Sequence, residues 1–143
     1  MTAVVLDTNV LARIVLDDDK HQSDAAFNAL KSASLIIIPV VAFCELVWVM
    51  RSLKTEDGKK LYTPAAIAER IRFFLDFDHI VTQEDEVQAG LQMLEAGGDF
   101  ADGVIEYTGR TLARGSAATF LSFDKNAVST SARRGLSALL LQG

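Results

Sequence analysis

The stretch Ala3-Val4-Val5-Leu6-Asp7-Thr8-Asn9 decides the fold that the rest of the sequence must follow. Four apolar residues in a row predict a short strand, and the lack of polar alternation indicates a strand covered on both faces. Such strands belong to parallel sheets, whose ligand crevices lie beyond the carboxyl ends of the strands. Asp7, Thr8 and Asn9 follow the strand directly, so they fall where chemistry is expected.

Apolar runs and helical patterns alternate along the whole chain. We predict strands at about 3–6, 35–38, 79–82, 117–121 and 136–141, and helices at about 10–16, 21–32, 40–51, 63–75, 83–96, 99–114 and 125–131. The spacing between strands suits right-handed crossovers. The predicted class is therefore α/β, with a mainly parallel sheet of about five strands and helices on both faces.

The composition favours one soluble domain, residues 1–143, because 50% of the residues are apolar. The net charge of −5 excludes a protein that holds nucleic acid or a membrane surface by bulk electrostatics. With Cys44 as the only cysteine and no basic N-terminal region, we expect a reducing, cytoplasmic compartment and no secretory signal. Residues 35–50 are too short for a membrane span and contain Pro39 and Glu45.

The charges are segregated along the chain. Residues 84–106 hold seven acids and no base, whereas residues 107–143 hold five bases and one acid. Residues 1–50 carry six acids and three bases, and residues 51–83 carry five acids and six bases. The net charge therefore conceals local sites of opposite sign.

Two acids in the first half of the chain occupy unusual positions. Asp7 either caps the helix that starts near Val10 or lines the crevice beyond the strand. Glu45 is the only polar residue between Val40 and Met50, in a helix that we expect to be mostly buried. A buried carboxylate needs a basic partner, a metal ion or a place at the edge of a polar pocket. One ion pair would not explain the other acids, so we favour a site role for Glu45.

Three more acids follow in the second half. Asp99 and Asp102 fall at the N-cap and the third position of a predicted helix, where the helix dipole favours carboxylates. Asp124 comes shortly after the apolar run 117–121 and would cap the next helix. Each of these residues, taken alone, has this simpler structural interpretation.

Taken together, the acids indicate a metal site, because the ends of parallel strands can bring them into one crevice. Carboxylates that lie so close repel one another unless a cation stands between them. The set offers only oxygen ligands, and neither His21 nor His79 has zinc-ligand spacing. These ligands indicate Mg²⁺, with Mn²⁺ as a substitute.

Four motifs stand in a recognisable order: VLDTNVL at residues 5–11, Glu45 in its apolar helix, DFAD at residues 99–102, and LSFDK at residues 121–125. In these motifs and their spacing over nearly the whole chain, the sequence resembles the PIN-domain ribonucleases. Among them it looks like the VapC toxins of bacterial type II toxin–antitoxin modules. The resemblance implies a PIN-like α/β/α fold of three layers.

The resemblance also implies which acids form the catalytic metal site: Asp7, Glu45, Asp102 and Asp124, with Asp99 as a frequent additional acid. Asp7 and Asp102 would bind the metal directly. Glu45 and Asp124 would bind it through water or orient the nucleophile. The implied reaction is hydrolysis of an RNA phosphodiester by metal-activated water, which leaves a 5′-phosphate and a 3′-hydroxyl.

Polar residues that line such pockets correspond to Thr8, Asn9 and Ser122. Ser122 stands where threonine is common, and its hydroxyl is retained. Asn126 stands where some relatives carry another acid, which leaves the number of metal ions open.

Basic residues would supply a rim that binds RNA phosphates around the acidic site. The candidates in the last third of the chain are Arg110, Arg114, Lys125, Arg133 and Arg134. A second basic edge would comprise Arg51, Lys54, Lys59 and Lys60, for which an ordinary solvated surface is the alternative. Glu106 and Arg110 also have the spacing of a surface ion pair.

The partners implied by the resemblance are RNA as substrate, an antitoxin of the VapB kind that wraps the toxin, and a second copy in a homodimer. Four aromatic residues would serve either the core or such an interface, and we expect the core for each: Phe43, Trp48, Phe73 and Phe74.

Three other functions compete with the ribonuclease. A phospho-acceptor receiver module is also α/β and gathers acids at strand ends, but it needs adjacent acids after the first strand. A phosphatase with an aspartate nucleophile needs Asp-x-Asp, where this chain has Asp7-Thr8-Asn9. A non-catalytic PIN-like binding protein would not need the complete set of acids.

Overall fold

The computed structural model describes residues 2–16 and 18–143, and the chain divides into two compact units, residues 1–84 and 85–143. The first unit contains β1 (Thr2–Val5), α1 (Thr8–Leu16), α2 (Lys20–Leu30), β2 (Ala33–Ile37), α3 (Val40–Ser52), α4 (Pro64–Leu75) and β3 (Ile80–Val81). At the boundary α5 (Glu84–Glu95) begins, and the second unit continues with α6 (Phe100–Leu112), β4 (Phe120–Ser122), α7 (Lys125–Arg133) and β5 (Ala138–Leu140).

The first unit is built on a parallel sheet of three strands in the order β1-β2-β3. Val5 pairs with Ile37, which pairs with Val81 on its other side. The backbone N–H of Leu6 then donates to the Ile37 carbonyl at 2.9 Å, so the ladder reaches the residue before Asp7. The carboxyl ends of β1 and β2 therefore lie side by side, as the α/β prediction requires.

One face of this sheet is exposed, which contradicts the expectation that β1 is covered on both faces. Ala3 and Val5 of β1 share that face with Leu35 and Val81, and all four side chains are exposed. β1 is also an edge strand in this sheet. The apolar run specifies a strand but does not specify how many of its faces other elements cover.

Helix α1 lies at the centre of the first unit and packs against α2, α3 and α4. The buried Ser23 hydroxyl of α2 donates to the Arg13 carbonyl at 2.9 Å, and Arg70 of α4 donates to the Val15 carbonyl at 2.9 Å. These bonds satisfy carbonyls near the end of α1, which lack helical partners. Thr63 caps α4 as its sequence predicts, accepting from the Ala66 N–H at 3.1 Å.

The second unit contains a parallel pair, β4 and β5, against which α7 packs. Both strand pairings of the first unit and this pair are parallel, which confirms the α/β class with a parallel sheet. In the described residues, however, the strands form one sheet of three and one of two, not a single sheet of five. β4 begins at Phe120, whose N–H donates the first hydrogen bond of the β4–β5 pair to the Ser137 carbonyl. The pairing with β5 therefore determines where β4 starts.

Helices α5 and α6 approach each other closely at two glycines. A Cβ on Gly103 would lie 2.5 Å from the Ala89 carbonyl oxygen, and one on Gly90 would lie 2.7 Å from the Phe100 ring. Only glycine fits at both positions without a shift of the neighbours. The turn between the two helices passes through Gly97 with φ 99°, a conformation that favours glycine and ends α5 as predicted.

The apolar stretch 35–50 divides into most of β2 and most of α3. Within residues 2–16 and 18–143, no helix combines the length and the apolar character that a membrane crossing requires.

Candidate active site

Asp7 follows β1 directly and begins α1. Its backbone carbonyl accepts the N–H groups of Val10 and Leu11, each at 3.1 Å, and its Oδ1 accepts the Thr8 N–H at 2.7 Å. Because of these bonds, α1 starts at Thr8, two residues earlier than the sequence predicts. The Asp7 side chain is exposed, so it lies at the strand end without losing contact with solvent.

Glu45 lies on α3 and is exposed, which corrects the expectation that this helix is mostly buried. Residues 42, 43, 46, 47 and 50 form the buried side, whereas Val41, Glu45 and Trp48 form an exposed face. Hydrophobic content alone did not reveal that face, because nearly every residue of the helix is apolar. The N-terminus of α3 is held beyond β3, since the Val40 N–H donates to Gln83 Oε1 at 2.7 Å.

Thr8 joins the two carboxylates of the first unit. Its hydroxyl donates to Glu45 Oε2 at 2.7 Å, while its backbone N–H donates to Asp7 Oδ1 at 2.7 Å. Asp7 and Glu45 stand far apart in the sequence, yet both carboxylates bond to the same residue. Each of these bonds uses one carboxylate oxygen, and among the residues that the structure describes no further bond to either carboxylate is seen.

Asp99 and Asp102 lie at the start of α6, in the second unit. Asp99 occupies the N-cap position with extended backbone angles, but its side chain makes no capping hydrogen bond to the helix. Asp102 is the third residue of the helix, as predicted. Both carboxylates are half-buried and both make contacts. Capping therefore does not account for the Asp99 side chain.

Asp124 caps α7, which is the simpler of the two interpretations that its sequence position allowed. Its Oδ1 accepts the N–H groups of Asn126 and Ala127 at 2.9 and 3.3 Å. The Ser122 hydroxyl accepts the Asp124 N–H at 2.9 Å, which supports the turn between β4 and α7. The Asn126 amide donates to the Gly97 carbonyl at 3.1 Å. This last bond ties the turn that carries Asp124 to the turn that precedes Asp99.

The four predicted acids are thus divided between the units: Asp7 and Glu45 in residues 1–84, and Asp102 and Asp124 in residues 85–143. Among the residues described, no group of three or more Asp, Glu, His or Cys side chains is arranged to hold a metal ion. The donor chemistry nevertheless fits a hard cation, because every group is a carboxylate and Asp7 and Glu45 are held in place by Thr8.

Three of the five basic residues predicted for the rim are engaged within the second unit. Arg110 pairs with Glu106 as their spacing predicts, but Glu106 is only 5% exposed, so the carboxylate of the pair is buried. Arg133 donates to the Ala96 carbonyl, and Arg134 contacts Gln92. The other two, Arg114 and Lys125, are exposed.

Other contacts were not expected from the sequence. No pattern in the sequence predicted the hydrogen bond from Val40 to Gln83, because glutamine at a strand end has many uses. The exposure of Trp48 could have been predicted together with that of Glu45, because Trp48 lies three residues after Glu45 and shares its helix face. Trp48 is 71% exposed and Phe73 is 69% exposed, whereas Phe43 and Phe74 are buried. The expectation of a core position is wrong for the first two residues and confirmed for the last two.

Comparison with known families matches residues 4–132 to the PIN domain. The match covers most of the chain, and the protein belongs to the PIN domain family. PIN domains are generally nucleases that act on RNA or DNA, and they typically use divalent metal ions. No curated protein matches the sequence.

Proposed function

We propose that this protein is a Mg²⁺-dependent endoribonuclease and the toxin of a type II toxin–antitoxin module. One observation supports the nuclease proposal above all others. Thr8 donates hydrogen bonds to two carboxylates, that of Asp7 at the end of β1 and that of Glu45 on α3. The chain belongs to the PIN family, and two exposed carboxylates lie at the carboxyl end of its three-stranded sheet. These two groups would form part of a cation site.

The residues proposed to hold the cation are Asp7 and Asp102, with Glu45, Asp124 and Asp99 completing the set. When bound, Mg²⁺ supplies activation of a water molecule and neutralisation of charge on the phosphate. Thr8 fixes the orientation of Asp7 and Glu45 through one oxygen each. Asp124 is held in the same way through Oδ1, by the first N–H groups of α7. Carboxylates that are already oriented lose less freedom when they bind a ligand.

Metal removal tests this proposal. Purified protein is expected to cleave single-stranded RNA in Mg²⁺, to lose cleavage in EDTA, and to regain it when Mg²⁺ or Mn²⁺ is returned. The products should carry 5′-phosphate and 3′-hydroxyl ends, as attack by water predicts. Full activity of the metal-stripped protein, or products with 2′,3′-cyclic phosphate ends, would exclude the mechanism. Metal-dependent binding of RNA without cleavage would instead favour a non-catalytic PIN-like protein.

Replacing Thr8 with valine tests how the carboxylates are positioned. Valine keeps the shape and the backbone N–H bond to Asp7, but it removes the hydroxyl that holds Glu45. We expect activity to fall by about 10- to 100-fold, the range measured when a group that orients a metal ligand is lost. The Mg²⁺ concentration for half-maximal activity should rise, and Thr8→Ser should restore both values. An equal loss in Thr8→Ser would assign the effect to packing rather than to the hydroxyl.

The toxin role rests on the order of the four motifs, which resembles that of the VapC proteins. In this role RNA is the substrate, a VapB-like antitoxin covers the site, and two copies form a dimer. The neighbouring gene is expected to encode a small protein with a DNA-binding start and a basic tail. Such a tail would complement the acids, because residues 84–106 contain seven acids and no base.

A phospho-acceptor receiver is not favoured by the site. Its chemistry needs adjacent acids after the first strand, whereas here the residue after Asp7 is Thr8, which donates its hydroxyl to Glu45. Incubation with a small phosphodonor in Mg²⁺ is therefore expected to leave the intact mass of the protein unchanged.

A further inference from the structure

The exposed face of α3 carries a feature that the proposed cation site does not use. Trp48 is the only tryptophan of the chain, and 71% of it is exposed, although tryptophan is among the residues that proteins bury most on average. It lies one helical turn after Glu45, about 4.5 Å further along the helix axis at 1.5 Å per residue. An aromatic surface therefore stands directly beside a carboxylate of the proposed site.

A positive charge lies near the C-terminal end of α3. Lys60 donates its ammonium to the carbonyl of Arg51 at 2.7 Å, and Arg51 is three residues after Trp48. The segment that brings Lys60 there is a short hairpin, in which Lys54 and Lys60 form an antiparallel bridge. Lys54, Lys59 and Lys60 are all exposed. The exposed face of α3 thus carries a carboxylate and an aromatic ring, and the Lys60 ammonium lies near the C-terminal end of the same helix.

This order matches the chemistry of a single strand of nucleic acid. Proteins that bind single strands combine stacking platforms for bases with cations that follow the phosphates. Trp48 lies only one helical turn from Glu45, so a base stacked on its ring would belong to a nucleotide close to a phosphate held at Glu45. A protein partner would favour a continuous apolar patch with few lysines at its centre. The carboxylate beside Trp48 and the exposed lysines near the end of α3 fit a nucleic acid better.

We propose that Trp48 stacks on a base of single-stranded RNA next to the cleaved phosphodiester, and that Lys60 meets the phosphate beyond it. The inference rests on the proposed ribonuclease function and adds to it a contact with an unpaired base of the substrate. Stacking needs an unpaired base, so the substrate is unpaired at this position. Because every base has a stacking face, Trp48 contributes affinity and register more than it selects a sequence.

The fluorescence of Trp48 can be used to measure RNA binding, because Trp48 is the only tryptophan and its emission reports on this position alone. Oligoadenylate of about ten nucleotides, titrated into the Asp7→Asn protein, should quench that fluorescence to saturation as a base covers the ring. In the same background, fluorescein-labelled RNA should bind about 5- to 150-fold more weakly to Trp48→Ala, which corresponds to one stacked base. Trp48→Phe should retain most of the affinity, because the benzene ring still stacks.

Phe73→Ala is the matched control, since Phe73 is an aromatic residue of α4 that is 69% exposed and has no part in the site. It should bind the labelled RNA as the parent does. Equal binding by Trp48→Ala and its parent, with no quenching, would overturn the inference while leaving metal-dependent cleavage intact. Quenching with no cleavage by the wild-type protein would leave the stacking intact and exclude the ribonuclease.

A protein interface is the remaining outcome. If Trp48 covers a second copy of the chain, its emission should shift with protein concentration in the absence of RNA. Trp48→Ala would then change the mass measured by sedimentation, and RNA would bind both proteins equally. That combination would overturn the inference.

Discussion

Replacing Asp7 with asparagine is expected to lower Mg²⁺-dependent cleavage of RNA by at least about 100-fold. Asparagine has nearly the same shape, and its oxygen can still accept the Thr8 N–H that Asp7 accepts at 2.7 Å. What it removes is the negative charge, which the site needs to hold a divalent cation. The loss should exceed that of Thr8→Val, because Thr8 acts on the cation only through the carboxylates. Initial rates on a labelled RNA at saturating Mg²⁺ measure the effect.

Asp24→Asn is the control for this substitution. Asp24 is an exposed acid of the same unit that pairs with Lys20 at 3.3 Å on α2. Its replacement changes the net charge by the same amount, so activity within about twofold of the wild type is expected. Asp102→Asn is expected to lower activity as Asp7→Asn does, because both acids are proposed to hold the cation. Full activity of either Asp7→Asn or Asp102→Asn would contradict the proposed metal ligands.

The same substitution separates the toxin role from the nuclease. Induced expression of the wild-type protein in bacteria is expected to arrest growth, whereas Asp7→Asn should permit it. Growth arrest by Asp7→Asn at equal protein levels would mean that toxicity does not come from cleavage. Normal growth with the wild-type protein, together with cleavage in vitro, would leave a ribonuclease that is not a toxin.

Replacing Phe100 with alanine is expected to destabilise the protein by about 3–5 kcal/mol, the usual cost of emptying a buried aromatic site. Phe100 is fully buried, and its ring fills the space above Gly90, where a Cβ would lie only 2.7 Å away. The helices already approach closely at Gly103, so they have little freedom to collapse into the cavity. Urea unfolding followed by far-UV circular dichroism gives the free energy of unfolding.

Two further variants serve as comparisons for Phe100→Ala. Phe100→Leu keeps much of the volume, so a loss below about 1.5 kcal/mol is expected. Phe123 is 70% exposed, and Phe123→Ala should change the free energy of unfolding by no more than about 0.5 kcal/mol. If Phe100→Ala lowers the free energy of unfolding by less than about 1 kcal/mol, the close packing of α5 against α6 is contradicted.

The sequence predicted the secondary structure well where local signals are strong. Thr63 followed by Pro64 marked the start of α4, and Gly97 marked the end of α5. Strand limits were less accurate, as β4 shows. A strand ends where its partner ends, and the partner can lie anywhere in the chain.

The candidate site was predictable to a similar degree. The position of Asp7 after β1 follows from an apolar run of a few residues. No local pattern predicts that Thr8 bonds to both Asp7 and Glu45, because the hydrogen bond from its hydroxyl to Glu45 joins residues 37 positions apart in the sequence. For Asp99 and Asp124 the same capping interpretation was available, yet only Asp124 uses its side chain as a cap.

By itself the sequence determined the order of helices and strands, the placement of acids at strand and helix ends, and the membership of the PIN family. The tertiary structure decided which faces are covered. It exposed Glu45 and Trp48 on α3, buried Glu106, and arranged the strands as a sheet of three and a sheet of two. The physical reason is that periodicity specifies which residues share a face. Whether that face meets protein or solvent depends on elements that lie far away in the chain.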